Sequence, residues 1–364
     1  MRLLVLINLV NQKGAGPMNI AQQLIKFSCH KNEYIYILNT DQFNNNKVSG
    51  KKIEYKKYDN IIFQSLYYVY FYYFHVPILI WRAGIKSYLC FGNYLHGIIP
   101  CRKRLLIHHP YLFDIRAIWK LPVGQRLLET LRYVVFRLLL IRRHELSLVV
   151  QSEYMSGHLS ESFLRKYPFD IIPNPISSAF DPVVKIRSEY FPYSNRVKLR
   201  VGYICRYYPH KRHDLIPELV KRLREHNVLF ELYVTIDSDR FLNLELAKFP
   251  EVVNLGEMEQ AKLQHLYHSL DICIYLSDRE TFGNSILEAL RFGLPILGFR
   301  KEYFINFIYK KSSVLVCDDL DAMAANIARL CRNSSSFEQA VSEVQGYGAR
   351  FETAREWSAS MTNF

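Results

Sequence analysis

Ser277-Asp278-Arg279-Glu280-Thr281-Phe282-Gly283-Asn284-Ser285-Ile286-Leu287-Glu288-Ala289-Leu290 follows an apolar run at residues 272–276 and opens a segment of helical periodicity at 284–292. Strand, tight turn and helix in that order put the turn at the carboxyl end of a strand, where open α/β sheets bind ligands. Around residues 282–285 the chain presents backbone N–H groups at a helix N-terminus, a ready site for a phosphate. Gly283 lets the backbone approach closely because no Cβ intervenes. Glu288 stands one turn into the helix, where a carboxylate can accept from both hydroxyls of a ribose. Glu280, in the loop before it, can face a sugar. The bland alternative is an ordinary amphipathic helix with a capping glutamate.

Outward from this stretch the same alternation repeats. Strands are predicted at 199–204, 229–234, 252–255, 272–276, 295–299 and 314–317. Helices are predicted at 213–226, 259–270, 284–292 and 319–331. In the amino-terminal half an apolar run at 2–8 ends at Gly14-Ala15-Gly16-Pro17 and a helix at 20–27, with further strands at 34–38, 87–91, 104–107 and 146–150. Alternation of this kind means parallel sheets wrapped by helices. Prolines 168, 173, 175, 182 and 192 interrupt it and mark a linker. The 364 residues, 49 % of them hydrophobic, suit two cores rather than one. The expected division is residues 1–175, a linker at 176–197, a second domain at 198–335, and a final helical stretch at 336–364 that crosses back to the first.

The run E-T-F-G-N-S-I-L-E-A, with Glu280 and Glu288 eight positions apart, resembles the E-x7-E motif of retaining family 4 glycosyltransferases of the GT-B fold. Gly293-Leu294-Pro295-Ile296 is similar to the run that follows it there. Val201-Gly202-Tyr203-Ile204-Cys205-Arg206, with Lys211 five residues on, resembles the family's strand-Arg-x4-Lys pattern, whose two cations hold the donor diphosphate. The chemistry agrees independently, since Arg offers a bidentate fork and Lys a mobile point charge for a polyanion. Taken alone, two loop cations at this spacing are usually solvated. Gly14-Ala15-Gly16 stands where the family has its glycine-rich first loop, and is neither a Walker A loop nor a dinucleotide fingerprint. Leu105-Leu106-Ile107-His108-His109-Pro110-Tyr111 resembles the strand end that bears the family's active-site histidine. That role falls to His108, with His109 as a competitor.

The resemblance implies two Rossmann-like, doubly wound parallel-sheet domains facing a cleft, the first for the acceptor and the second for a nucleotide sugar. It assigns His108 and Glu280 to the transferred sugar, and Gly16, Arg206, Lys211, Phe282, Gly283, Asn284 and Glu288 to the donor. The implied reaction is retaining, metal-independent transfer of a hexose-type sugar from a UDP- or GDP-sugar to a glycan or lipid-linked oligosaccharide, as in lipopolysaccharide or other surface polysaccharide biosynthesis. Arg300-Lys301-Glu302-Tyr303-Phe304 departs from the glycines and acid the family often carries after the strand at 295–299.

No metal and no other cofactor is expected. Asp237-Ser-Asp239 and Asp319-Leu-Asp321 have the D-x-D pattern of metal-dependent transferases, yet read as a loop after a strand and a helix N-terminus. The seven cysteines contain no C-x-x-C pair, which argues against zinc and disulfides and fits a reducing compartment. The run at 3–10 reads as a first strand, so a cytoplasmic protein is expected. The formal charge is +13, and residues 102–143 hold ten Lys/Arg. Aromatic residues crowd 66–74 nearby. Cations beside aromatics mark an anionic membrane surface or nucleic acid, unless they form a solvated basic helix beside a buried aromatic one. Cues for nucleic-acid modules are absent, and a peripheral position at the cytoplasmic membrane face is expected. Residues 61–81, with Gln64, five tyrosines, His75 and Pro77, do not supply the roughly 20 predominantly apolar residues a span needs, and read as a kinked helix packed on a sheet. A sugar-nucleotide epimerase of the same fold and a basic RNA-binding protein are the rival readings.

Overall fold

The structure, a computed structural model, describes residues 4–10, 15–27, 33–39, 51–95, 97, 99–112, 115–119, 121–140, 144–176, 198–307, 312, 314–348 and 354–362. It divides into two compact units, Met1–Ser177 with Glu352–Phe364, and Ser178–Phe351.

In the first unit β1 (Leu4–Asn8), β2 (Glu33–Asn39), β3 (Lys51–Tyr55), β4 (Ser87–Phe91), β5 (Arg102–Leu106), β6 (Leu146–Val150) and β7 (Phe169–Ile171) form one parallel sheet in the order β3-β2-β1-β4-β5-β6-β7. The central strands β1 and β4 are covered on both faces, which is why they read as unbroken apolar runs. On one face α1 (Ala15–Phe27) packs Ile20 and Leu24 against Val5, Ile7 and Tyr36. On the other lie α2 (Ile61–Tyr70), a π-turn at Phe71–His75, α3 (Val76–Arg82), α4 (Ile115–Trp119) and α5 (Val123–Leu140). These bury Phe71, Tyr72, Val76, Ile80, Phe136 and Leu140 over the sheet. Asn60 caps α2 by accepting from Ile62 N at 2.9 Å. The irregularity expected in 61–81 is thus a π-turn followed by Pro77 in the first turn of α3, where a missing N–H is tolerated. Gly97, at φ +75°, passes so close beneath this rod that a Cβ would collide with the Tyr72 carbonyl. A further helix, α6 (Glu153–Glu161), joins β6 to β7.

The reading of residues 102–143 as one membrane-facing basic surface needs correction. Lys103 and Arg104 are only 7 % and 8 % exposed. Lys103 Nζ donates to the carbonyls of Cys101 (2.7 Å) and Ile99 (3.1 Å). Arg104 donates to the carbonyls of Ser360 (2.9 Å) and Met361 (3.1 Å) and pairs with Asp170 at 2.9 Å. They sit on a central strand, so their charges are satisfied inside the unit. Lys120, Arg142 and Arg143 lie outside the described residues.

The second unit repeats the plan. Strands β8 (Leu199–Tyr203), β9 (Phe230–Val234), β10 (Val252–Asn254), β11 (Ile272–Tyr275), β12 (Ile296–Phe299) and β13 (Val316–Cys317) form a parallel sheet in the order β10-β9-β8-β11-β12-β13. Around it run α7 (Ile216–Glu225), α8 (Ser238–Asn243), α9 (Gln260–Ser269), α10 (Asn284–Arg291), α11 (Glu302–Phe307), α12 (Leu320–Arg332) and α13 (Ser334–Gly348). The strand order reverses between β8 and β11, the switch point of a doubly wound sheet. Of the expected linker at 176–197, residues 177–197 lie outside the described residues.

The final stretch, read as one helix, supplies a helix to each unit. Phe337, Ala340, Val341 and Val344 of α13 are buried in the second unit, where the helix packs on α10 and α12. Trp357 and Met361 of α14 (Ala354–Thr362) enter the core of the first unit against α1. Two separate apolar faces serve two different cores.

Candidate functional site

The loops at 204–212 and 276–283 leave β8 and β11 on either side of the switch point. They are knitted together. Asp278 N donates to the His210 carbonyl at 2.8 Å, and Arg212 pairs with Asp278 at 2.9 Å. The Tyr203 hydroxyl donates to the Lys211 carbonyl, and that of Tyr303 to the Ser277 carbonyl.

At their meeting point Lys211 Nζ forms a close ion pair with Glu280 Oε1. The side chains are 12 % and 11 % exposed, so little solvent screens the pair. Lys211 Nζ also donates to the Tyr275 hydroxyl at 3.1 Å and lies 5.1 Å from the centre of that ring. Ser277 Oγ donates to Glu280 Oε1 at 2.7 Å, and His210 Nε2 stands 3.9 Å from the same oxygen. Burial works against both charges, yet each side chain is held in its charged form. The Lys211 ammonium is raised well above its ordinary value of 10.5 because the Glu280 carboxylate outweighs desolvation. Burial alone would raise the Glu280 carboxyl, but Lys211, His210 and Ser277 together pull it below 4.5.

Gly283, the residue before α10, has φ +87° and ψ +64°, and a Cβ there would press on Ile286 Cδ1 at 2.8 Å. The position needs glycine on both counts. Its carbonyl accepts from Ile286 N at 2.9 Å, so the first turn of α10 is tight and begins with the amides of Asn284 and Ser285. Phe282 is buried, 3 % exposed, and fixes the turn from below. Glu288 is partly exposed, and Tyr267 of α9 donates to its Oε2 at 2.8 Å, aiming the carboxylate. Arg206 is not drawn into the Lys211 cluster. It pairs instead with Glu257 at 3.2 Å, and both side chains are 40 % exposed.

In the first unit Gly16 lies in the first turn of α1, while Gly14 falls outside the described residues. His108 follows β5, and its N–H donates to Asn93 Oδ1 at 2.7 Å, Asn93 itself having φ +69°. Burial lowers the His108 pKa to about 4, so the ring is neutral at neutral pH. The competitor His109 is engaged differently, with Nε2 3.6 Å from Glu129, which also binds Arg132. The two histidines therefore differ in environment although adjacent in sequence.

The two D-x-D stretches act as caps. Asp237 accepts from Arg240 N at 2.9 Å, which corrects the loop reading, since a short helix starts there. Asp319 accepts from Ala322 N at 2.8 Å. Among the described residues no group of three or more His, Cys, Asp or Glu side chains could hold a metal ion. A cavity of about 670 Å³ opens at the amino ends of β5 and β6, the opposite end of β5 from His108, and two of its cations are the internally satisfied Lys103 and Arg104. Sequence reading did not identify Tyr203, Tyr267, Tyr275, Ser277 or Tyr303. Each is an aromatic or hydroxyl residue inside or beside an apolar run, and only the fold brings its oxygen to the loops.

Residues 198–333 match the family model described as glycosyl transferases group 1. No curated protein sequence matches the chain. Among solved structures the chain is similar to WaaG, a glycosyltransferase involved in lipopolysaccharide biosynthesis, at 13 % identity and TM-score 0.72, over 99 % of this chain and 100 % of that one. Sucrose-phosphate synthase from Thermosynechococcus elongatus gives 12 % identity and TM-score 0.71, over 99 % and 97 %. HepE from Anabaena in complex with UDP-glucose gives 12 % and 0.71, over 99 % and 98 %. With the two parallel sheets, these likenesses establish the GT-B fold.

Proposed function

We propose that this chain is a retaining, metal-independent glycosyltransferase that moves a hexose-type sugar from a nucleotide diphosphate to a glycan or lipid-linked oligosaccharide. The observation that carries the reading is the Lys211–Glu280 cluster beside the α10 N-terminus at the switch point of the second unit. An ammonium has three N–H donors. Two of those on Lys211 go to Glu280 and Tyr275, and the third suits a phosphate oxygen of the donor. Arg206, partly exposed and paired with Glu257, swings to the same diphosphate, and the first-turn amides of α10 add their dipoles. Charge that develops on the leaving diphosphate is thereby met by preorganised donors without a metal.

Glu288, aimed by Tyr267, accepts the ribose hydroxyls, and Phe282, Gly283 and Asn284 shape the turn that lets the phosphates approach. Glu280, kept ionised by Lys211, and His108, kept neutral by burial, contact the transferred sugar, and Gly16 binds the donor. The protein works peripherally at an anionic membrane surface on the cytoplasmic side, where a lipid-linked acceptor of surface polysaccharide synthesis resides.

The test is incubation of UDP- and GDP-hexoses with lipid-linked acceptors in excess EDTA, with the new linkage read by NMR. Product of the donor's own anomeric configuration is expected. Inverted product, or turnover that chelation abolishes and magnesium or manganese restores, overturns the mechanism. An isomerised donor formed without acceptor would instead make the chain an epimerase.

A further inference from the structure

Large apolar side chains that face solvent are not scattered over this protein. Of 24 such residues among those described, ten lie between residues 61 and 81 and nine between 115 and 138. Both stretches belong to the helical layer on one face of the first sheet. Their inner sides share one core, through Phe71, Tyr72, Val76, Phe136 and Leu140. What remains exposed is therefore the outer side, with Ile61, Phe63, Leu66, Phe74 and Trp81 on one rod and Trp119, Leu127, Leu131 and Leu138 on the other. Trp81 is 79 % exposed and Trp119 63 %. The contiguous apolar patches of soluble monomers rarely exceed a few hundred Å², and larger ones mark interaction sites.

The charges on this layer have one sign. Residues 61–82 contain no acid and end at Arg82. Residues 115–140 contain one, Glu129, which is buried against Arg132 and His109, whereas Arg116 and Arg137 are exposed. No described helix is long and apolar enough to cross a membrane. We propose that the outer side of this layer inserts into the interfacial zone of an anionic lipid bilayer. The apolar side chains reach the ends of the acyl chains, the two indoles sit at the boundary, and Arg82, Arg116 and Arg137 meet the headgroup phosphates. A second copy docked here about a two-fold axis would set arginines against arginines, and residues 61–82 and 115–140 offer no exposed carboxylate among those described to receive them. A phosphate surface complements them. This inference rests on the membrane location given above, and replaces adsorption through the basic segment with shallow insertion through apolar helices.

The three tryptophans make the test direct, because Trp357 is 1 % exposed in the core and only Trp81 and Trp119 can report contact. The protein is mixed with phosphatidylglycerol–phosphatidylcholine vesicles whose acyl chains carry bromine. The expected result is a blue shift and quenching of tryptophan emission, lost in the Trp81→Phe/Trp119→Phe variant. Phe63→Ser/Leu127→Ser should lower the vesicle-bound fraction by about tenfold or more, since each apolar side chain contributes on the order of tenfold when buried. Nucleoside diphosphate affinity of that variant should be unchanged. Wild-type emission that ignores anionic vesicles overturns the proposal. So does binding without quenching that high salt abolishes, or a dimer in solution that Phe63→Ser/Leu127→Ser dissociates. Any of these leaves the transferase reading standing if nucleotide binding persists, whereas loss of nucleotide binding in the wild type would sink that reading alone.

Discussion

Lys211 and Glu280 stand 69 positions apart, and each is the other's main counter-charge. Removing one partner strands the other in a buried place, which costs about 3–5 kcal/mol. Glu280→Ala and Lys211→Ala should each lose that much in denaturant unfolding, and Lys211→Met/Glu280→Gln should recover most of it. A double-variant loss equal to the sum of the two single losses would mean that the pair is not coupled. The direction with pH follows from the shifts. Glu280 is depressed, so its contribution is present above 4.5 and disappears as pH falls through its folded value. Lys211 is raised, so its contribution is present below 10.5 and fades as pH rises through its folded value. The pair thus stabilises the unit across the intervening range. For His108 the depressed pKa means that the native ring resists protonation, so stability declines as pH drops from 6.5 toward 4. An NMR titration of that ring should show a midpoint near the value of about 4, and one at 6.5 would place the ring in solvent.

At the scale of elements, Gly283 is the hinge between β11 and α10. Gly283→Ala forces a side chain into left-handed backbone, at a cost of roughly 1–2 kcal/mol, and against Ile286. It should weaken nucleotide binding while far-UV circular dichroism is retained; unchanged affinity would show that the turn does not shape the phosphate site. This stretch was legible in the sequence because strand, glycine and amphipathic helix are local signals. β1, β4 and β11 were legible for the same reason, as buried strands with continuous apolar runs. β3 was not, because Lys51, Lys52 and Glu54 give an edge strand the composition of a loop. Nor was β7, three residues long. That α13 and α14 enter different cores escaped as well, since both have helical periodicity and only the cores differ. Arg104 shows how much charge can mislead: its guanidinium closes the C-terminal end of α14 through two carbonyls. Arg104→Met should speed hydrogen exchange of the α14 amides, and protection equal to wild type would contradict that role.

For the whole molecule, composition gave the size of the cores and the excess of positive charge, but not where the charge is spent. Part of it is consumed inside the first unit by Lys103 and Arg104, part pairs with acids around the loops of the second, and part rims the exposed apolar layer. The side chains that pair with Arg206, Lys211 and Glu288 come from distant segments, so spacing singled out the residues while their companions needed the fold. Glu288 gives the donor reading its cleanest test, because Tyr267 aims its carboxylate and the side chain is partly exposed. The decisive measurement is calorimetric titration of UDP and GDP into wild-type protein and Glu288→Ala, in EDTA. Saturable one-to-one binding of one nucleotide by the wild type, weakened at least about tenfold by the substitution through the loss of a charged hydrogen bond, is the predicted result. No binding of either nucleotide, or identical affinity in the variant, would contradict the assignment of the second unit as the nucleotide-sugar site.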